Sequence, residues 1–272
     1  MITQAIIPLA GLGTRLLPLS SVIPKELLPI NGKPNLEYIL EECIEAGIKQ
    51  FIFVVPKNRP SIKKYFFNDN FYKKIIKKKK NDKRLKKVFN RIKRYQKMIK
   101  FVYQNKPGGT GQAVLKCKKY LKGTHFLMLL ADDLIVKKNC SKEMIALHKR
   151  TESSVIATKR VEKKTVSRWG ILGFENRSKN SFLINEVIEK PKLNEAPSNY
   201  AIIGRYILPK KILSVLKNQG KGKGGEIHIT DAIKTLIEKN EKFYGNIFKG
   251  KYIDCGTLQG FINSGLTISK YL

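Results

Sequence analysis

The sequence contains few residues of the kinds that form disulfides, zinc sites or membrane anchors. Its four cysteines lie far apart, with no CxxC pair and no neighbouring histidine, which argues against zinc and favours reduced, structural thiols: Cys43, Cys117, Cys140 and Cys255. The opening residues, MITQAIIPLAGLG, include no basic segment, and their apolar stretch is far too short for a signal peptide or a membrane span. We therefore expect a cytoplasmic protein with no membrane partner.

Acidic residues are also scarce. The chain contains 21 Asp and Glu and 54 Lys and Arg, which gives a formal net charge of +33. Residues 71–100 alone contribute +14, with 15 Lys and Arg and one acid, Asp82. Apolar residues recur there at helical spacing, which predicts an amphipathic helix with a basic outer face: Leu85, Val88, Ile92, Tyr95 and Ile99. A basic nucleic-acid-binding protein is one explanation of the charge. We favour a solvated surface with no specific nucleic-acid partner, since residues with AT-rich codons are abundant throughout the chain.

The order of predicted elements indicates an α/β fold. Apolar strands near residues 4–10, 51–55, 99–103 and 126–131 alternate with helices, one of them at about 112–121, which favours a mainly parallel sheet covered on both faces. Beyond residue 150 the chain becomes rich in strands, at 155–161, 170–174, 182–188 and 200–208. We predict one domain over residues 1–272, with halves of about 1–150 and 151–256, a C-terminal helix at 257–272 and a basic helical insert at about 60–100.

The stretch AGLGTRLLP, residues 10–18, follows the first apolar strand. In open α/β sheets ligands bind at the carboxyl ends of strands, and glycines let backbone N–H groups face an anion without a Cβ in the way. Arg15 adds a planar fork of donors that suits phosphate oxygens. The pattern is neither a P-loop nor a dinucleotide GxGxxG, so by itself it is equally consistent with a simple turn. Ten residues later, IPKELLP places Lys25 between two prolines that stiffen the loop.

Carboxylates follow two other apolar strands. Asp132 and Asp133 come after the very apolar run FLMLLA, and Asp254 follows a short strand near residue 252. Charged groups at that depth need a partner, and a hard divalent cation with oxygen ligands is a natural one. Two aspartates at equivalent strand ends would hold one Mg²⁺ that also contacts phosphate oxygens. The structural alternative is that one aspartate, Asp133 in preference to Asp132, caps the next helix.

A set of motifs occurs in an order and spacing that resembles the bacterial UTP:glucose-1-phosphate uridylyltransferases, a branch of the sugar nucleotidyltransferases. The motifs are GLGTR with IPKELLP, QNKPGGTGQAV, LLADD, WGIL, VIEKPK, APSNYAIIGRYIL, GGEIHITDAI and IDCG, and the resemblance covers about residues 4–262. It implies a Rossmann-like nucleotidyltransferase fold, with a mixed, mostly parallel central sheet flanked by helices and a smaller, β-rich, sugar-binding lobe. It also implies Mg²⁺-assisted transfer of a uridylyl group from UTP to glucose 1-phosphate, in a homo-oligomer of two or four chains.

The resemblance assigns the first half of the chain to the nucleotide. Six residues would hold the nucleotide and read the uracil edge, mainly through the loop backbone: Ala10, Gly11, Gly13, Thr14, Gln104 and Gly109. Arg15 and Lys25 would neutralise the triphosphate and the pyrophosphate that leaves. Such a reaction needs no acid, base or covalent enzyme group, because positioning and charge neutralisation catalyse the attack of an already ionised phosphate oxygen.

The remaining roles implied by the resemblance concern the metal and the sugar. Asp132 and Asp254 would bind Mg²⁺. Gly170 and Glu189 would hold the glucosyl hydroxyls, and Lys190 would pair with the sugar phosphate. Without the family context, Glu189 and Lys190 would be read as a plain surface ion pair.

Two departures from the pattern of this branch leave alternatives open. Position 112 is Gln, whereas the branch commonly has His there and thymidylyltransferase relatives have Gln. A glucose-1-phosphate thymidylyltransferase, or another sugar nucleotidyltransferase, is therefore the alternative enzyme. Residues 60–66 carry Lys where the related segment has an acid, so we expect surface pairing or subunit contacts there to differ.

Overall fold

The computed structural model describes residues 1–271, the side chain of Lys223 excepted. The strands are β1 (Gln4–Pro8), β2 (Pro29–Ile30), β3 (Lys33–Pro34), β4 (Gln50–Val55), β5 (Ile99–Tyr103), β6 (His125–Leu129), β7 (Asp133–Val136), β8 (Ser154–Arg160), β9 (Gly170–Glu175), β10 (Ser181–Glu189), β11 (Tyr200–Pro209), β12 (Phe243–Ile247) and β13 (Lys251–Asp254). The α-helices are α1 (Asn35–Glu45), α2 (Ser61–Phe67), α3 (Asp69–Lys78), α4 (Lys83–Met98), α5 (Gly109–Lys116), α6 (Cys140–Thr151), α7 (Ile212–Asn218), α8 (Ile229–Glu238) and α9 (Leu258–Ser269). Three short 3₁₀ helices lie between β1 and β2, at Thr14–Leu16, Leu19–Ser21 and Lys25–Leu27.

A nine-stranded mixed sheet forms the centre of the protein, in the order β5-β4-β1-β6-β11-β8-β12-β10-β9. The strands of the first half, β5, β4, β1 and β6, pair in parallel. The strands of the second half pair antiparallel, apart from the parallel pair of β8 and β12. The predicted mixed sheet is confirmed, but it is not mostly parallel as expected, because the strands of the second half return beside one another and pair mainly antiparallel. Because β11 lies between β6 and β8, the strand-rich second half continues the same sheet and does not form a separate one.

Apolar side chains fill both faces of this sheet. In β1, Ile7 belongs to one buried cluster and Ile6 to the other, as expected when successive side chains point to opposite faces. Helices α1 and α6 contribute to the first cluster, whereas α5, α7 and α8 contribute to the second. With both faces covered by helices, the ends of the strands remain open for a ligand.

The predicted strands of the central sheet lie within two residues of the observed ones, because strands buried on both faces appear in the sequence as apolar runs. The helix predicted at about 112–121 starts earlier, at Gly109, and ends at Lys116. The basic segment is not one helix, since α3 ends at Lys78 and α4 begins at Lys83. The Asp82 side chain accepts a 2.9 Å hydrogen bond from the Leu85 N–H and caps α4, which explains the break.

Three further expectations concern the C-terminal helix, the cysteines and the absence of a membrane span. The C-terminal helix predicted at 257–272 is α9, and residue 272 lies outside the described residues. All four cysteines are buried and free, which confirms the expectation of structural thiols. No helix within residues 1–271 combines the length and the apolar character needed to cross a membrane.

Candidate active site

The glycine loop forms a tight turn after β1. Gly13 has a φ of +67°, a region that favours glycine, and the Ser20 hydroxyl donates a 2.8 Å hydrogen bond to the Gly13 carbonyl. A Cβ at Gly13 would lie only 3.1 Å from the Ser20 Cβ, and one at Gly11 would lie 4.0 Å from the Lys25 Nζ. Both glycines thus lie close to the Lys25 side chain, and at Gly13 a Cβ would also crowd Ser20. Thr14 follows Gly13 and begins the first 3₁₀ helix.

Lys25 and Arg15 lie against the same carboxylate, that of Asp132. The Lys25 Nζ is 2.6 Å and the Arg15 Nη2 3.6 Å from the Asp132 Oδ2. Burial lowers the pKa of Lys25, but the charges of Asp132 and Glu26 outweigh it and raise this pKa above its usual value. Burial raises the pKa of Asp132, but the Lys25 charge and hydrogen bond outweigh it and hold this pKa below its usual value. These directions favour the charged forms of both Lys25 and Asp132.

The pairing of β7 with β13 brings Asp254 to Asp132. In this antiparallel pair Asp254 stands opposite Asp133, the residue after Asp132. The Cys255 N–H donates a 2.8 Å hydrogen bond to the Asp132 carbonyl, and the Gly256 N–H donates a 2.9 Å bond to the Asp254 Oδ1. Asp132 and Asp254 consequently line the same cavity. Two carboxylates predicted from separate strand ends thus meet in one place.

Asp133 does not cap a helix, contrary to the structural alternative drawn from the sequence. It begins β7, it is buried, and the Tyr252 hydroxyl donates a 2.6 Å hydrogen bond to its Oδ1. Burial and the neighbouring Asp132 charge raise the pKa of Asp133 to about 7. Asp133 and the three residues after it form a strand because β13 supplies hydrogen-bond partners, a long-range contact that the local pattern does not reveal.

A first cavity extends from Asp132 toward α5. Its lining includes six of the predicted site residues: Ala10, Gly11, Lys25, Gln104, Gly109 and Asp132. Gln104 is buried, and its Nε2 donates a 2.8 Å hydrogen bond to the Gln112 Oε1. Gly109 has a φ of +88°, and a Cβ there would lie 2.5 Å from the Ile227 carbonyl oxygen. Glycine at this position therefore lets the loop around Gln104 pack closely against the segment before α8.

A second cavity, lined by residues of β9, β10 and β11, shares Asp132 with the first. Its lining includes Arg15, Gly170, Glu189 and Asp254 as well as Asp132. The Thr230 hydroxyl donates a 3.0 Å hydrogen bond to the Glu189 Oε2, which orients that carboxylate. A Cβ at Gly170 would lie 3.2 Å from the same oxygen, so glycine keeps this wall of the cavity open.

Lys190 lies beside the second cavity. The Lys190 Nζ is 3.6 Å from the Glu189 Oε1. The backbone N–H of Lys190 donates a 2.9 Å hydrogen bond to the Trp169 carbonyl. Three of the predicted site residues, Gly13, Thr14 and Lys190, are not among the residues that line either cavity. The other ten line one or both, and Asp132 lines both. The structure thus brings residues from separated parts of the sequence to two cavities that share Asp132.

Comparison with known proteins places the chain in a family. The profile of the nucleotidyl transferase family matches residues 4–270. The chain belongs to the nucleotidyl transferase family. A UTP–glucose-1-phosphate uridylyltransferase of Staphylococcus saprophyticus is 37% identical over 264 residues, which cover 97% of this chain and 90% of the relative.

Two solved structures share the fold of this nucleotidyl transferase. A UDP-glucose pyrophosphorylase complexed with UDP-glucose superimposes with a TM-score of 0.88 and 33% identity, and the alignment covers all of both chains. A UTP-bound UGPase from Acinetobacter baumannii gives a TM-score of 0.87 and 32% identity, covering 98% of this chain and 93% of that one. The predicted family and fold class are confirmed.

The nucleotidyl transferase also contains a buried ion pair behind the site that the sequence reasoning missed. Arg205, in the middle of β11, is 0% exposed, and its Nη2 donates a 2.8 Å hydrogen bond to the Glu42 Oε2 of α1. Its Nη1 donates to the Asp133 carbonyl, next to the candidate metal ligand Asp132. The signal in the sequence is a single charge within the apolar strand YAIIGRYIL, which requires a buried partner.

Glu26 is a second site residue that the sequence reasoning missed. It is buried, it lines the first cavity beside Lys25, and its Oε1 has no hydrogen-bond partner within the part of the chain that the structure describes. Burial raises the pKa of Glu26 to about 7. Its position directly after Lys25 in IPKELLP marks it in the sequence, but only the fold shows that it is buried.

Proposed function

We propose that this nucleotidyl transferase transfers a uridylyl group from UTP to glucose 1-phosphate, giving UDP-glucose and pyrophosphate. The main support for the proposal is that two cavities share Asp132 in their lining. A molecule with a nucleoside at one end and a sugar at the other fits across this junction, with its phosphates beside Arg15 and Lys25. The names of the relative and of the two solved structures support the same substrates.

Each of the two cavities would bind one part of the substrate. We assign the nucleoside to the cavity lined by Gln104 and Gly109, where a buried amide and loop backbone groups offer hydrogen bonds to a base edge. The glucosyl group belongs in the cavity lined by Gly170 and Glu189, since a carboxylate accepts hydrogen bonds from sugar hydroxyls. Lys190, beside Glu189, would pair with the sugar phosphate.

The reaction relies on positioning and charge neutralisation. A phosphate oxygen of glucose 1-phosphate, ionised at neutral pH, attacks the α-phosphorus of UTP in line. A bond forms between this oxygen and the α-phosphorus, while the bond from the α-phosphorus to the bridging oxygen breaks and pyrophosphate leaves with the electron pair. Arg15 and Lys25 stabilise the negative charge that develops on the leaving group. No proton has to move, so the site needs no general acid or base.

Asp132 and Asp254 fit a site for Mg²⁺, which in proteins takes one or two carboxylates together with substrate phosphates. Within residues 1–271, no group of three or more His, Cys, Asp or Glu side chains is placed to hold a metal ion. The two aspartates would therefore hold the ion together with phosphate oxygens. When bound, Mg²⁺ supplies positive charge that polarises those oxygens. With Asp132 engaged in this way, we expect Lys25 to turn from the carboxylate toward the phosphates.

The proposal is tested by measuring pyrophosphate release from UTP and glucose 1-phosphate with and without Mg²⁺. We expect turnover only with Mg²⁺, and its loss in Asp132→Asn while thermal unfolding still shows a folded protein. Lys190→Ala should raise the KM for glucose 1-phosphate. Lys192→Ala, which removes a lysine whose side chain is 81% exposed, serves as the matched control and should leave this KM unchanged.

Parallel reactions with dTTP and galactose 1-phosphate test the specificity. The alternative, a thymidylyltransferase, rests on Gln112, and turnover with dTTP equal to that with UTP would contradict the assignment to UTP. Pyrophosphate release from no combination of these substrates would overturn the proposed activity itself.

We further propose that the protein acts in the cytoplasm, without a specific nucleic-acid partner. Nonspecific binding to DNA by a protein of net charge +33 collapses as salt rises, because it depends on counterion release. A DNA mobility shift that survives moderate salt would contradict this expectation.

A further inference from the structure

Asn35, the first residue of α1, is a buried polar residue that the sequence reasoning did not single out. It is 2% exposed, and its Nδ2 donates a 2.6 Å hydrogen bond to the carbonyl of Ala131, 96 positions away. The Oδ1 of the same amide is buried and has no hydrogen-bond partner among the described residues. The amide therefore makes one long-range contact, and that contact is to the residue directly before the candidate metal ligand Asp132.

Asparagine at the start of a helix usually serves as a cap, but Asn35 does not. In a cap, the side-chain oxygen accepts a hydrogen bond from an N–H of the first turn. Here Pro34 occupies the capping position, no side chain caps α1, and the Asn35 Oδ1 is unbonded. An unpaired buried polar atom costs free energy, and a leucine of similar shape would not carry that cost. The stability of α1 therefore does not account for the asparagine, which leaves the bond to Ala131.

The bond to Ala131 fixes one of the two peptide planes that flank Asp132. A peptide unit is planar, so holding the Ala131 carbonyl oxygen also sets the direction of the Asp132 N–H and the position of its Cα. The Cys255 N–H holds the Asp132 carbonyl at 2.8 Å and so fixes the second plane. With both planes held, the backbone angles of Asp132 are restricted, and this restricts the direction in which its side chain leaves the backbone.

The backbone of Asn35 holds the segment that carries the ion-pair partner of Asp132. The Asn35 N–H donates a 3.1 Å hydrogen bond to the Leu28 carbonyl, and the Leu28 N–H donates a 3.3 Å bond to the Lys25 carbonyl. One residue thus connects the two segments whose side chains meet in the 2.6 Å ion pair of Lys25 and Asp132. A shift of either segment would change the distance between the cation and the carboxylate.

We propose that Asn35 is a positioning residue for the Mg²⁺ site, acting through the Ala131 carbonyl on the carboxylate of Asp132. Asn35 lines neither of the two cavities, so its effect is indirect. Removing a residue that orients a metal ligand typically weakens metal binding about 10- to 100-fold. Because Asn35 holds the backbone beside the ligand and not the carboxylate itself, we expect the lower end of that range. The inference rests on the proposed role of Asp132 as a ligand of Mg²⁺.

Electron paramagnetic resonance of Mn²⁺, used in place of Mg²⁺, measures metal binding to the full-length protein in the presence of UDP-glucose and without turnover. We expect Asn35→Leu to raise the Mn²⁺ dissociation constant about tenfold, while urea denaturation shows a stability at least equal to that of wild type. Asn35→Ala removes the same amide without adding methyl groups and should weaken Mn²⁺ binding similarly, so the test does not depend on one variant. In the pyrophosphate-release assay, the Mg²⁺ concentration for half-maximal rate should rise, with the KM for glucose 1-phosphate at saturating Mg²⁺ unchanged.

Asn139→Leu is the matched control, because it removes another asparagine that bonds to backbone groups. The Asn139 Nδ2 donates a 2.8 Å hydrogen bond to the Glu42 carbonyl, and its Oδ1 accepts a 2.9 Å bond from the Lys142 N–H as the cap of α6. Losing this cap should lower the stability and leave the Mn²⁺ affinity unchanged, the opposite of the result expected for Asn35→Leu. The pair of variants thus distinguishes positioning of the ligand from support of the fold.

Asp132→Asn separates this inference from the proposed function. If Mn²⁺ binding by the wild type does not depend on Asp132, the proposed metal role fails and the inference fails with it. If binding depends on Asp132 but both Asn35 variants stay within about twofold of wild type, the inference alone is overturned. A loss of Mn²⁺ affinity that follows the loss of stability in every variant, Asn139→Leu included, would also overturn the positioning role.

Discussion

Arg205→Met removes one partner of the buried ion pair behind the candidate active site, and we predict that it lowers the free energy of unfolding by about 3–5 kcal/mol. The structural basis is the burial of both partners, since the side chain of Arg205 is 0% exposed and that of Glu42 is 7% exposed. Without Arg205, the hydrogen-bond partners that Glu42 keeps among the described residues are the Ser141 hydroxyl, at 2.6 Å, and the Ser141 N–H. A buried carboxylate is then left without a countercharge.

Urea denaturation followed by circular dichroism measures this loss, and Lys142→Met provides the matched control. The Lys142 Nζ lies 3.7 Å from Glu45 with both side chains more than half exposed, so its removal should change stability by less than about 1 kcal/mol. The double variant Arg205→Met/Glu42→Leu should recover most of the stability, because replacing a whole buried ion pair by apolar residues is often neutral.

An activity assay distinguishes the contribution of Arg205 to the stability of the fold from its contribution to the active site. Arg205 donates a hydrogen bond to the Asp133 carbonyl, beside Asp132, and the double variant does not restore that bond. We therefore expect the double variant to be stable but slow. An Arg205→Met protein within about 1 kcal/mol of wild type would refute the reasoning, because a buried pair of this kind cannot be broken at so low a cost.

Three further predictions concern the cavity assigned to the nucleotide. Burial raises the pKa of Glu26 from 4.5 to about 7. Between these two pH values Glu26 is protonated in the folded protein and ionised in the unfolded chain, so the free energy of unfolding falls as the pH rises. Glu26→Gln should therefore gain stability relative to wild type between pH 5 and pH 8 in urea titrations, and a difference independent of pH would contradict this. Gln112→Ala removes the nearer of two acceptors of the Gln104 amide. The loss of about 1 kcal/mol corresponds to a roughly fivefold rise in the KM for UTP, and the KM for glucose 1-phosphate should be unchanged. Gly109→Ala should lower both the melting temperature and the affinity for UTP, because the new Cβ would collide with the Ile227 carbonyl oxygen. The control is Gly123→Ala, which has a similar φ of +73° and no neighbouring atom within 4 Å, and which should show only the smaller cost of backbone strain.

Local sequence was sufficient to predict much of the sheet and the residues at its strand ends. Strands buried on both faces appear as apolar runs such as FIFVV and FLMLL, and ligands in this class of fold bind where such runs end. For that reason Arg15, Asp132 and Asp254 were identified from the sequence, and the structure brings them to one cavity. Their roles in binding and catalysis stay predictions until the experiments above are done.

The contacts that close the site could not be predicted, because they join residues distant in the chain. Lys25 and Asp132 are 107 positions apart, and nothing near either residue indicates that they form an ion pair. The strand β7 has only four residues, and its pairing with β13 depends on a segment that follows more than 100 residues later.

The central claim is that one substrate lies across Asp132, with its nucleoside in one cavity and its sugar in the other. A crystal structure of the protein with Mg²⁺ and UDP-glucose tests it most directly. We predict uracil beside Gln104 and Gly109, glucose beside Gly170 and Glu189, and the diphosphate between them next to Arg15 and Lys25. UDP-glucose bound outside these two cavities, or with its sugar in the cavity of Gln104, would contradict the account.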